Sequence, residues 1–369
     1  MNKAMNRRDF VQKGAAVVSG LTAAAGLTAM PQTSAQAPVR RRGILNFNEN
    51  MEYRRLGKTG LLVSAVCLGG HWKRIDKMVN GVEGCGYCET DEATVSNAGF
   101  LKNRDAVVSR CIDVGINYVD ACTHAEVLAY AKVLKGRRQK MYLGFSNAPS
   151  EPRKKEYRTV AKLMESLDDC FKEAGLDYVD VWRMTLPQDG LPEADELLRV
   201  EEAAFGAMEK AREQGKVRFS GLSTHNRTWL KSMIGRYPDH LQVACTPYTA
   251  NSKELPTDSV FAAIREFDVG VFGIKPFADN SLFKGDSSLD SPHREEDNRR
   301  ARLALRYILG NPAITAPIPG LLNTYQVENA AEAVRERRKL DAAEAAELEQ
   351  VSEEMWANLR PSHQWLKNR

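Results

Sequence analysis

The chain of 369 residues carries 52 Lys and Arg against 48 Asp and Glu and is 43% apolar, the balance of a globular protein and not of a disordered or disulfide-dense one. Most of its formal charge of +4 gathers at the N-terminus, where residues 1–37 hold Lys3, Arg7, Arg8 and Lys13 against Asp9. The remainder is close to neutral and has no run of basic residues interleaved with aromatics, so a nucleic-acid partner is not expected.

Asn6-Arg7-Arg8-Asp9-Phe10-Val11-Gln12-Lys13 precedes an uncharged, Ala- and Gly-rich run from Gly14 to Met30, then the small residues Ala35-Gln36-Ala37. The arginine pair with Phe10 and Lys13 behind it resembles a twin-arginine export signal. The apolar run is short and diluted by Gly, Ser and Thr, so no stable membrane span is expected and a removed signal is preferred. Cleavage after Ala37 leaves Pro38 at the new terminus, which keeps an uncleaved anchor open as the alternative. The resemblance implies the twin-arginine translocation machinery as a partner and a periplasmic or exported location. Residues 1–37 are expected as the signal, 38–50 as a linker and 51–369 as one folded domain. The seven cysteines are an odd number at scattered spacings and make no disulfide framework. Cys67, Cys111, Cys170 and Cys245 sit in apolar runs as core residues.

From Met51 onward short β-branched runs alternate with longer amphipathic segments, the pattern of repeated βα units. The predicted strands are Val63 to Leu68, Asn117 to Asp120, Met141 to Phe145, Tyr178 to Met184, Val217 to Leu222, Leu241 to Cys245, Gly270 to Lys275 and Ile314 to Ile318. Predicted helices include Asn103 to Val114, Thr159 to Ala174, Val200 to Gln214, Asp258 to Phe267 and Asn298 to Leu309, with glycine stops at Gly115, Gly175, Gly215 and Gly310. A charged segment, Asp341 to Trp356, reads as a helix packed on the outside. Eight units in one domain predict an α/β (β/α)8 TIM barrel. A doubly wound sheet is the alternative, but no strand runs into a Gly-x-Gly-x-x-Gly turn. The stretch between Trp72 and Lys102 is long for a first βα loop. It holds Cys85-Gly86-Tyr87-Cys88, an isolated pair open to a local disulfide, a reactive dithiol or a share of a metal site with His71 or His124.

Function in such a barrel sits where strands end at the C-terminal face. Those positions hold His71 and Trp72, Asp120 and His124, Ser146 and Asn147, Thr185, Ser223 to Asn226, Tyr248, Lys275, and the turn Gly320-Leu321-Leu322-Asn323. Met51-Glu52-Tyr53-Arg54-Arg55-Leu56-Gly57-Lys58-Thr59-Gly60-Leu61-Leu62-Val63-Ser64 resembles the N-terminal hairpin of the aldo-keto reductase superfamily. Gly115-Ile116-Asn117-Tyr118-Val119-Asp120, Asp177-Tyr178-Val179-Asp180-Val181-Trp182, Lys275-Pro276-Phe277-Ala278 and Ile318-Pro319-Gly320 extend the resemblance to about Gln350.

The resemblance implies an oxidoreductase that binds NADP(H), with NAD possible, and moves hydride to or from a small carbonyl or alcohol substrate, sugar-like in kind. Of the family's Asp, Tyr, Lys and His, Asp120 matches the aspartate, while Ala125, Ser146 and Thr185 stand at the other positions. His124 is the candidate to take over proton transfer beside Asp120. Ser223, Tyr248, Lys275, Gly320, Asn323, Gln326 and Asn329 correspond to the cofactor wall. His71, Trp72, Thr185 and His225 are the substrate-side candidates, and no complete metal-ligand set is read from the sequence. A non-redox lyase or isomerase, and a non-catalytic binding protein on the same barrel, are the alternatives.

Overall fold

The computed structural model describes residues 43–82, 92–187, 194–255 and 259–368. The expected export signal and the Cys85/Cys88 pair lie outside the described residues. The folded unit opens with an antiparallel hairpin, β1 (Tyr53–Arg55) on β2 (Leu62–Ser64), with Tyr53 opposite Ser64 and Arg55 opposite Leu62. Its turn is pressed against the bottom of the barrel. Gly57 has φ +47, and a side chain there would run into the backbone at Gly270, so glycine is required. Leu56, Leu61 and Val63 from this hairpin join the cluster that fills the barrel interior.

Seven strands follow in a parallel sheet in sequence order: β3 (Tyr118–Ala121), β4 (Tyr142–Phe145), β5 (Val179–Met184), β6 (Val217–Ser223), β7 (Val243–Pro247), β8 (Gly270–Ile274) and β9 (Ala316–Ile318). The eighth stave is the segment Cys67 to Gly69. On one side Cys67 and Gly69 donate to the carbonyls of Pro317 and Pro319 at 3.0 and 2.8 Å; on the other Leu68 and Tyr118–Asp120 exchange bonds of 3.0 and 2.8 Å. The barrel is thus closed, as expected. The predicted first strand, Val63 to Leu68, is divided between hairpin and stave because Ser64 turns the chain. Its N–H goes to Asn117 Oδ1 at 2.8 Å and its hydroxyl to the Val66 carbonyl at 2.7 Å. Cys67, Tyr118, Val181, Val243, Cys245 and Phe272 pack inside, so the barrel is a filled core and not a pore.

Around it lie α1 (Glu92–Ser96), α2 (Ala98–Val114), α3 (His124–Leu134), α4 (Val160–Ala174), α5 (Ala194–Glu213), α6 (Arg227–Arg236), α7 (Val260–Glu266), α8 (Arg294–Leu309), α9 (Thr324–Arg335) and α10 (Ala342–Ala357). Polar residues set their starts: the side chains of Asn97, Thr123, Thr159, Asn226, Asn323 and Asp341 each accept an N–H from the first turn that follows. Asp341 and Glu344 complete a capping box on α10, which packs Leu348, Val351 and Met355 onto Leu303 and Ala304 of α8. After it, the 3-10 turn Pro361–Asn368 brings His363 and Trp365 to the barrel mouth. The expected linker is built into the fold from Ile44 onward: Asn117 donates to the Leu45 carbonyl at 3.0 Å, and Asn48 to that of Asp113 at 2.9 Å. Among the described residues no helix is long and apolar enough to cross a membrane.

Candidate active site

The C-terminal ends of the strands surround a cavity of about 480 Å³. Asp120, at the end of β3, is 5% exposed. Its carboxylate is gripped by Arg183 from the end of β5, which donates through Nε at 2.8 Å and through Nη2 to the second oxygen. Burial works against the Arg183 charge, and the Asp120 carboxylate outweighs it, holding the guanidinium well above its ordinary range. Asp120 is therefore one half of a buried ion pair. Arg183 was not among the residues expected from the sequence; its signal was a single cation inside the strand run Val179–Met184, and a cation buried with its strand has to find an anion.

Beside this pair stands a second unit. Glu126, in the first turn of α3, accepts the His71 N–H at 2.5 Å and pairs with His71 Nδ1 at 2.7 Å through one oxygen, and takes the Cys122 N–H at 2.7 Å on the other. The chain passes so close that a side chain at Gly70 would have to displace the Glu126 carboxylate. His71, at φ +58, then faces the cavity, with Cys122 Sγ 3.4 Å from its Nε2. Burial pushes the Glu126 carboxyl up, but His71 and the backbone donors outweigh it and hold it below its ordinary 4.5. A carboxylate with a lowered folded-state value gives stability that is present above 4.5 and lost as pH falls through the folded value. Glu126→Gln is therefore expected to be less stable than wild type at neutral pH and to show a shallower loss below about pH 4.5; urea unfolding across pH checks this, and parallel curves would refute it. The signal for Glu126 was Thr123-x-x-Glu126, the capping spacing that puts the glutamate in a first turn.

The other expected residues divide. Thr185, Ser223, His225, Lys275 and Gly320 line the mouth cavity. The Thr185 N–H donates to Glu151 at 2.8 Å, and the same carboxylate takes Ser146 Oγ at 2.7 Å, so Glu151 ties the ends of β4 and β5 together. His225 stacks on Trp365 at 4.2 Å. Lys275, with its Nζ 5.9 Å from the Trp365 ring, is pushed below its ordinary value by burial and then by Lys73. Lys73 itself is paired with Asp279.

Three expectations are corrected. His124, the first residue of α3, points away from Asp120 and bonds Glu173 on α4 at 2.9 Å; Glu126, two places on, takes the inward direction instead. Trp72 is fully buried, edge-on to Phe100 and Tyr130 with centroids 4.9 and 5.6 Å away, and is core. Tyr248 turns outward, its hydroxyl accepting from Asn311 at 3.0 Å and its ring edge-on to Phe261 at 5.8 Å.

A second pocket adjoins the first, and Phe277, Asn280, Gly320 and Leu322 line both. Asn323, Gln326 and Asn329 line it at the start of α9, and Arg294 faces them from the start of α8. Asn323 caps α9 and Gln326 takes the Leu322 N–H at 2.8 Å, while the buried Arg104 of α2 holds the carbonyls of Leu321 and Leu322 at 2.8 and 2.7 Å. The two pockets thus abut, and the outer one, of about 70 Å³, ends at a helix N-terminus, where an anion is favoured. As for a metal, ligand atoms of His71, Cys122 and Glu126 lie within 4.8 Å of one another, but three N–H donors already occupy the Glu126 oxygens.

The aldo/keto reductase family model matches residues 102–353. Among solved structures the chain is similar to the aldo-keto reductase AKR11C1 from Bacillus halodurans in its holo form, at 21% identity and a TM-score of 0.57 over 85% of this chain and 99% of that one. The apo form of the same enzyme aligns over the same shares at 21% identity with a TM-score of 0.54.

Proposed function

The chain belongs to the aldo/keto reductase family, and from that premise we propose that it is an exported oxidoreductase that binds NADP(H), or NAD(H), and interconverts a carbonyl and an alcohol on a small polar, sugar-like substrate. The observation that carries this reading is the pair of adjoining pockets, which share Phe277, Asn280, Gly320 and Leu322. Its inner end is the mouth cavity and its outer end the capped N-terminus of α9 beside Arg294. An extended dinucleotide has the length and the anionic centre such a pair favours, and a solved structure of similar fold is described as a holo form. When bound, the nicotinamide supplies or accepts the hydride. The chain's own groups supply the rest: Asn323, Gln326 and Arg294 hold the nucleotide's polar end, and Ser223 and Gly320 border its path into the mouth.

At the mouth, His71 stands where a proton is needed, its ring oriented by Glu126, so His71 Nε2 gives a proton to the developing alkoxide or takes one from the alcohol. Asp120 fixes Arg183, and Lys275 adds a second cation lining the cavity, so both stand where they can stabilise oxyanion charge. The cavity also holds Lys73, Arg74 and Arg153 against Asp279, and this electropositive wall suits a substrate rich in oxygen. Export rests on the signal-like sequence of residues 1–37, and a protein exported folded carries its nucleotide with it.

One experiment tests both parts. The full chain, expressed in a twin-arginine-competent bacterium, is expected in the periplasmic fraction with dinucleotide released on acid treatment and detected by mass spectrometry. Retention in the cytoplasm would end the export reading. No released nucleotide, together with no fluorescence change on titrating NADPH or NADH, would end the redox reading and favour a lyase or isomerase.

A further inference from the structure

We infer that Cys122, His71 and Glu126 form a nucleophilic thiol site that adds reversibly to aldehydes. Of the described cysteines, Cys67, Cys111, Cys170 and Cys245 are buried and Cys122 alone is partly exposed, and it lines the mouth cavity. Its Sγ lies 3.4 Å from His71 Nε2, and His71 Nδ1 lies 2.7 Å from Glu126. The carboxylate selects the neutral tautomer with its proton on Nδ1; the sulfur lies beside the ring, 3.7 Å from Nδ1 as well, so Nε2 accepts the thiol proton once the Cys122 side chain turns toward it. A nucleophile, a base within reach and a third group that orients the base make up the arrangement of an activated nucleophile. Cys122 and Glu126 are four residues apart and are joined by the Cys122 N–H bond to the carboxylate, so the sulfur and the base are set by one anchor.

In the step itself, Sγ bonds to the carbonyl carbon as the C–O π bond opens. The thiol proton passes to His71 Nε2 and from there to the new alkoxide oxygen, giving a neutral hemithioacetal with no oxidant or reductant consumed. Lys275 and Arg183 face the same cavity and stabilise the alkoxide before it is protonated. An aldehyde carbon is less crowded and more electrophilic than that of a ketone, which narrows the substrate class. The inference takes the carbonyl substrate from the proposed function but does not depend on the nucleotide.

The test is alkylation of the full-length protein by iodoacetamide near neutral pH, read by intact mass and by peptide mapping, which separates Cys122 from Cys85 and Cys88. Burial and then Glu126 hold the Cys122 thiol well above its ordinary range, so its labelling is expected to outpace that of the four buried cysteines only because His71 takes the proton. Glyceraldehyde should slow it at least about tenfold while dihydroxyacetone, its ketone isomer, does not, and His71→Ala should slow it about 100-fold, in the range of a lost general base, with added imidazole restoring part of the rate. A merely unfolded variant would instead expose the buried cysteines and label at several sites. Absence of glyceraldehyde protection, or an unchanged rate in His71→Ala, overturns the inference. So does stoichiometric zinc in the wild type that Cys122→Ser loses. Protected labelling without nucleotide binding would leave this site standing and the redox reading fallen; nucleotide binding without protection would do the reverse.

Discussion

Arg183→Met is expected to destabilise the protein by roughly 3 kcal/mol or more at neutral pH, the range for stripping one partner from a buried ion pair. The two side chains are only 4% and 7% exposed, and Arg183 donates to both oxygens of the Asp120 carboxylate. Without Arg183 the carboxylate stays buried and uncompensated. Asp120→Asn alone is expected to cost a similar amount, by leaving the guanidinium unpaired. The double variant should recover much of either loss, because removing both charges removes the desolvation problem with them. Guanidinium unfolding of the four proteins at neutral pH checks this; additive losses would show that the pair is not what holds the mouth together.

The barrel was legible in the sequence because its signals are local. Alternating short strands and longer helices need only neighbouring residues, and caps such as Thr159 and Asp341 mark where helices start. Rim positions such as Asp120, Thr185, Ser223, Lys275 and Gly320 were found by the same route, since a strand end predicts proximity to the mouth. Direction was not legible. Tyr248 and Trp72 also follow strand ends or the closing stave, but the first turns toward Asn311 and the second sinks between Phe100 and Tyr130. The left-handed His71 backbone, which sets which residue of that loop faces in, has no local signature in a non-glycine residue. Partners far apart in the chain were equally hidden: Glu126 with His71, and Arg183 with Asp120, are separated by 55 and 63 positions. The return of Trp365 to lie on His225 comes from a segment with no periodic pattern at all.

His71→Ala is expected to lower kcat by about 10²- to 10⁴-fold on any aldehyde or sugar the wild type turns over, the span for loss of a general acid or base, with KM and nucleotide affinity within a few fold. The imidazole reaches the cavity from a backbone turn set by Gly70 and the Glu126 carboxylate, so truncating it removes the proton-transfer group and leaves the pocket walls in place. The separation matters. The residues that border the nucleotide path, Ser223, Gly320 and Asn323, come from β6 and from the turn between β9 and α9. His124→Ala serves as the comparison, because His124 lies on the outer surface against Glu173, and its turnover should match wild type. Steady-state kinetics with both variants decides between the two histidines. Equal activity in His71→Ala and loss in His124→Ala would require helix α3 to rotate its first turn during catalysis. That would displace Glu126 from the three donors it now accepts.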